Sequence, residues 1–156
     1  KYLFGGMGDG GGCHPRDNIA LSWLARKLDL SYDWYESLMM CREKQTDWLA
    51  DLIIEQDRDY REIYILGKAF KPETNIITGS PSVLLDNLLK ERGKTVVAYD
   101  PHIDDTVPEF KSGVYFIGTK HPEFENFDFP DGSIVLDPWR YVKSDNETVK
   151  IIHIGN

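Results

Sequence analysis

The residues best suited to covalent chemistry stand together near the start of the chain, in Gly8-Asp9-Gly10-Gly11-Gly12-Cys13-His14-Pro15-Arg16-Asp17. Four glycines in five positions leave a backbone almost without side-chain walls, free to take positive φ and to lie against a ligand. The run Asn18-Ile19-Ala20-Leu21-Ser22-Trp23-Leu24-Ala25-Arg26-Lys27-Leu28 then spaces its apolar groups for a helix. Asp17 is placed to be the N-cap of that helix, with Pro15 just ahead of it. Cys13 would sit in a glycine cradle, facing the positive end of a helix dipole and flanked by His14 and Arg16. Each influence favours thiolate over thiol, which a covalent active site needs. The plainer reading is a small apolar Cys before a helix and an Asp that only caps it.

The elements that must position this loop are legible further on. Leu30-Ser31-Tyr32-Asp33 reads as a break and a new cap, and no Gly or Pro follows until past Glu55. Trp34, Leu38, Trp48, Leu49, Leu52 and Ile53 recur at helical spacing, which predicts one helix of about 25 residues, on the order of 35 Å long. Polar residues 56–61 form a junction. Beyond it, Glu62 to Gly67, Thr95 to Asp100, Val114 to Gly118, Ser133 to Asp137 and Val149 to Ile154 read as short apolar strands. Ser80-Pro81 opens a helix with a Val83, Leu84, Leu85, Leu88, Leu89 stripe, closed by Gly93. Pro122, Pro130 and three phenylalanines make 121–129 too irregular for the helix a strict βαβ repeat would place there. The reading is an α/β chain: a helical part over 1–59, then a Rossmann-like parallel-sheet domain over 60–156. Ligands collect at the carboxyl ends of such strands, which here carry Lys68, Lys71, Asp100 and the Asp137-Pro138-Trp139-Arg140 turn.

Two segments carry a family resemblance. Gly10-Gly11-Gly12-Cys13-His14-Pro15-Arg16-Asp17 followed by Ala20-Leu21 resembles the cysteine motif of the UDP-glucose/GDP-mannose (nucleotide-sugar) dehydrogenases. Ile65-Leu66-Gly67-Lys68-Ala69-Phe70-Lys71-Pro72-Glu73-Thr74, with Ser80-Pro81-Ser82 after it, resembles their Ala-Phe-Lys segment. The resemblance covers nearly the whole chain but only the C-terminal portion of the family's architecture. It implies Cys13 as nucleophile and Asp17 as its proton-transfer or water-positioning partner. It further implies a sugar-nucleotide site drawing on Gly8, Gly10, Gly11, Gly12, Phe70 and Lys71. Arg140, after a strand at the ligand-collecting edge, is the added candidate for an anion contact.

The resemblance also implies NAD as cofactor, bound mainly by a domain upstream of Lys1, and a homodimer formed through the long helix. Trp34, Met39, Met40 and Trp48 give that helix apolar area to hide. UDP-glucose is the default substrate; GDP-mannose and UDP-N-acetyl-hexosamines stay open. The alternative reading is a dimerisation and nucleotide-sugar-binding module with degenerate chemistry. Met7, Asp9 and Thr78 depart from the family pattern, and Arg16 replaces its usual lysine.

Composition bounds the rest. The 156 residues are 41% hydrophobic and 28% charged, ordinary for a soluble globular chain. A net charge of −8 argues against nucleic acid or an anionic membrane as partner. Cys13 and Cys41 form no paired framework, which suits a reducing, cytoplasmic setting. Four scattered histidines without Cys-x-x-Cys suggest no metal site. No Gly-x-Gly-x-x-Gly follows a strand, so Asp100 reads as a strand-end turn residue and not as a ribose ligand.

Overall fold

The structure, a computed structural model, describes residues 5–8, 10–57 and 61–155. Helix α1 spans Cys13–Lys27 and α2 spans Trp34–Gln56, 23 residues as the unbroken helical spacing requires. The break between them is made by Asp33. One carboxylate oxygen accepts the amides of Tyr35 and Glu36 at 3.1 and 3.0 Å, capping α2, while the other accepts the Ser22 hydroxyl of α1 at 2.6 Å. A single residue therefore starts one helix and pins the other to it. The Ser22 bond first, then the Glu36 amide, holds the Asp33 carboxyl below its ordinary range.

The start of α1 corrects the capping role expected of Asp17. The N-cap is Gly12, which has no side-chain capping bond, and Asp17 lies in the second turn. The reason is Pro15: in the first turn of a helix its missing N–H has no partner to lose, so the helix runs back through it to Cys13.

Strands β1 (Ile63–Leu66), β2 (Val96–Tyr99), β3 (Val114–Ile117), β4 (Ile134–Asp137) and β5 (Lys150–His153) form one all-parallel sheet in the order β2-β1-β3-β4-β5. Helix α3 (Pro81–Glu91) connects β1 to β2; Ser80 caps it, its hydroxyl accepting the Ser82 amide. The register is level, Leu66 pairing with both Tyr99 and Ile117, so the loops that follow the strands share one edge. Between β3 and β4 there is only a 3-10 turn at Pro122–Phe124, as the prolines there require.

Strand alternation splits the core in two. Ile63, Ile65, Val114, Phe116 and Leu136 face Leu49, Ala50 and Ile53 of α2 and Leu85 and Leu89 of α3. Tyr64, Leu66, Tyr115, Ile117 and Val135 face the other way, into a layer built from Phe124, Phe129 and the partly buried Phe110 and Phe127. Aromatic loops fill that face in place of a helix; Tyr64 and Tyr115 stack at 4.5 Å. No helix among the described residues is long and apolar enough to cross a membrane.

Candidate functional site

The glycine-rich segment crosses the carboxyl edge of the sheet. Gly6 lies against the Trp139 ring, Gly8 against the Gln45 amide of α2, Gly10 against Phe70 and Pro81, and Gly12 against Thr78. Gly11 has φ +89° and is buried. A Cβ there would sit 3.0 Å from the Phe70 ring, and one on Gly79 (φ +69°) would sit 2.4 Å from the Gly11 carbonyl oxygen. A side chain on Gly79 would displace the Gly11 backbone, and one on Gly11 would press the Phe70 ring from a φ that favours glycine. Gly10 and Gly11 thus pack where Phe70 closes its own loop, its amide donating to the Ile76 carbonyl at 3.0 Å.

Cys13 is exposed at the first position of α1. Arg16 and Asp17 follow at i+3 and i+4, the two positions that share its helix face. The Arg16 Nε donates to Asp17 at 3.0 Å. That hydrogen bond is the main reason the Arg16 guanidinium is held above its usual value, with a smaller contribution from Cys13 itself. Across the loop contact, Lys71 is exposed and its ammonium lies 5.4 Å from the Phe70 ring centroid. It has no carboxylate partner among the described residues. Lys68 is different: its Nζ is 2.5 Å from Asp104, inside an ion pair. Arg140 sits beyond β4 with φ +57°, and its guanidinium donates to the Gly155 carbonyl at 2.7 Å.

Asp100 organises this edge from below. It is fully buried, and its carboxylate accepts the amides of Lys68 (2.7 Å), Ala69 (2.8 Å) and His102 (2.9 Å) and the ring of His121 (3.1 Å). Burial pushes this carboxyl up, but the His121, Ala69, His102 and Lys68 hydrogen bonds outweigh it and hold the group well below the usual carboxylate range. The two amides after β1 are the donors a dinucleotide phosphate would need in this fold, and the chain's own carboxylate takes them. The switch point between β1 and β3 is also filled, since Gly67 packs directly on Thr119. Asp137 does the same work after β4, accepting the four amides from Trp139 to Val142.

Three side chains at this edge carry no signal in the sequence motifs. Arg42 of α2 donates to the Gly79 carbonyl at 2.9 Å, bracing the turn that holds Gly11. Gln45 stands one turn along, under Gly8. His121 links Asp100 to the Lys71 loop by accepting the Glu73 amide at 3.3 Å. The i, i+3 spacing of Arg42 and Gln45 is visible in the sequence, but a charged helix face more often only meets water.

A parallel sheet with helices on one face and a glycine-rich segment across its carboxyl edge is an α/β architecture that collects ligands at that edge. Residues 64–144 match the UDP-glucose/GDP-mannose dehydrogenase family, UDP binding domain, and the chain belongs to that family. It is 30% identical to the UDP-glucose 6-dehydrogenase TuaD of Bacillus subtilis over 97% of its own length, and 33% identical to the UDP-glucose 6-dehydrogenase AglM of Haloferax volcanii over 88%. The chain spans about a third of the length of these curated relatives, 32% of each. A UDP-glucose dehydrogenase structure from Pyrobaculum islandicum superposes with a TM-score of 0.77 at 28% identity, covering 95% of this chain and 38% of that one.

Proposed function

We propose that the chain is the cysteine-bearing and nucleotide-sugar-binding part of a nucleotide-sugar 6-dehydrogenase. In this reading residues 1–59 supply the thiol and the dimer helix, and residues 60–156 hold the sugar nucleotide, UDP-glucose by default. The observation that carries it is the packing of Gly10 and Gly11 on Phe70, which joins the segment leading into the exposed Cys13 to the loop that carries the exposed Lys71. The described residues offer NAD no cradle, because Asp100 occupies the amides after β1. NAD belongs to a part of the protein outside this chain, and the chemistry assigned here is that of this chain's own groups.

Oxidising a primary alcohol to an acid passes through an aldehyde. The Cys13 thiolate adds to that aldehyde carbon, forming a C–S bond while the carbonyl oxygen takes up a proton. This thiohemiacetal keeps a reactive species bound. NAD, when bound, would supply the oxidation by accepting one hydride from the alcohol and a second from the thiohemiacetal, which leaves a thioester; water then adds to its carbonyl, the C–S bond breaks, and the thiolate leaves as the carboxylate forms. Asp17, one turn along the same helix face, is assigned the proton transfers. Lys71 is assigned the sugar hydroxyls and the forming carboxylate.

In the full-length protein, Cys13→Ser should abolish conversion of UDP-glucose to UDP-glucuronate while leaving UDP-glucose binding intact. Asp17→Asn should slow it by about 10²–10⁴-fold. Lys71→Ala should weaken UDP-glucose binding about tenfold, the loss of one charge-assisted hydrogen bond. Undiminished acid formation by Cys13→Ser would overturn the covalent route, and binding without turnover in the wild type would make this a binding module.

A further inference from the structure

We propose that His102, His121 and Glu123 form a Zn²⁺ site at the carboxyl edge of the sheet. One ligand atom from each of the three residues lies within 4.8 Å of the other two. The residues come from the loops after β2 and β3, whose ends the level register sets either side of β1. They are 21 positions apart at most, with no spacing that a sequence motif would register.

One buried residue arranges both histidines. Asp100 accepts the His102 backbone amide on one oxygen and the His121 ring on the other, at 2.9 and 3.1 Å. Because His121 Nδ1 accepts the Glu73 amide, its proton lies on Nε2 and points at Asp100. A carboxylate behind an imidazole N–H is the arrangement that fixes tautomer and orientation in metal-ligating histidines. The lone pair left on Nδ1 meets only the Glu73 amide, at a long 3.3 Å that an ion can displace into solvent.

The other two ligands are already paired with each other. His102 Nε2 lies 3.1 Å from Glu123 Oε1, and the His102 ring stacks on His121 at 4.7 Å between centroids. His102 and Glu123 keep about a third and a half of their side-chain surface exposed, so the ring can turn toward an ion and the site has an entry path. Two imidazoles and one carboxylate suit Zn²⁺ over Mg²⁺ or Ca²⁺, and leave its fourth position for water. Zn²⁺ bound there would tie the β2 and β3 loops together and release the Glu73 amide of the Lys71 loop from His121.

The test is Zn²⁺ titration of the chelator-treated chain by calorimetry, with Co²⁺ as the optical probe because sulfur ligands give it intense near-ultraviolet bands. We expect one equivalent of Zn²⁺ bound, a Co²⁺ spectrum without thiolate bands, and no response to Mg²⁺. His102→Ala and Glu123→Gln should each weaken Zn²⁺ by at least about tenfold with unchanged circular dichroism. No binding by the wild type at millimolar Zn²⁺ overturns the proposal. So does wild-type affinity in the double variant, since the ion would then sit elsewhere. None of these readouts depends on enzymatic activity.

Discussion

The two halves of this chain treat their apolar side chains in opposite ways. In the sheet, β1 and β3 are inaccessible along their whole length, and even Tyr64 and Tyr115 are fully covered. In α1 and α2 the large groups stay outside. Trp34 is 69% exposed, Trp23 61% and Trp48 51%, with Ile19, Leu28 and Leu38 alongside. Only the second half of α2 joins the core, through Leu49, Ala50 and Ile53. The sheet is covered by its own loops and by α2 and α3, whereas the helices leave a large apolar face open of the kind that protein contacts cover.

The largest effect that would sharpen this contrast lies at Asp100. The amides of Lys68 and Ala69 and the His121 ring share one Asp100 oxygen and the His102 amide takes the other, so Asp100→Asn removes the charge that holds all four and sets an NH₂ against at least one of these donors. Breaking a buried, hydrogen-bonded charge network of this kind costs about 3 kcal/mol or more. Thermal unfolding should drop by at least about 6 °C, with the excess amide exchange confined to the loops after β1, β2 and β3. An equal rise in exchange along α1 would mean that the two halves are one cooperative unit.

The next effect belongs to the helical half. We propose that the exposed α2 face pairs two copies of the chain, as the resemblance implied. Replacing a central tryptophan in such a contact typically costs about 2 kcal/mol or more, roughly 30-fold in dissociation constant. Trp48→Glu should therefore shift sedimentation toward monomer, yet move the unfolding midpoint of the monomer by little, since Trp48 has few neighbours to lose. A wild-type chain that sediments as a monomer at high concentration would break this side of the comparison.

How much of this was legible beforehand follows from the range of the interactions. The five strands, α2, the Asp33 and Ser80 caps and the failure of a helix at 121–129 rest on periodicity and on Pro or Gly placement, which are local. The start of α1 was misplaced by five residues because Asp17 has the chemistry of a cap, and only the packing of Gly11 on Phe70 and Gly79 shows where the loop ends. The motifs singled out the glycine segment and the Phe70 loop. Their meeting was not predictable, since it depends on a contact between residues 60 apart. Asp100 was read as a turn residue; that it gathers four donors from three loops is a property of the sheet register, which no sequence pattern records.

The smallest effect tests the seam between the halves, where Arg42 of α2 holds the Gly79 carbonyl. Gly79 presses on Gly11, and Gly12 leads directly into Cys13, so the guanidinium acts on the thiol through two backbone contacts. Removing one charged hydrogen bond to a carbonyl costs about 1.5 kcal/mol, too little to unfold the sheet but enough to loosen an exposed loop. Arg42→Ala should raise amide exchange across residues 10–13 and 78–80 and change the alkylation rate of Cys13, followed on its own peptide so that neighbouring Cys41 does not interfere. Arg42→Lys should restore part of both, because a single donor can still reach the carbonyl. Unchanged exchange in the glycine segment would show that the loop is held by its contacts with Phe70 alone, and that the long helix does not govern the reactivity of the cysteine.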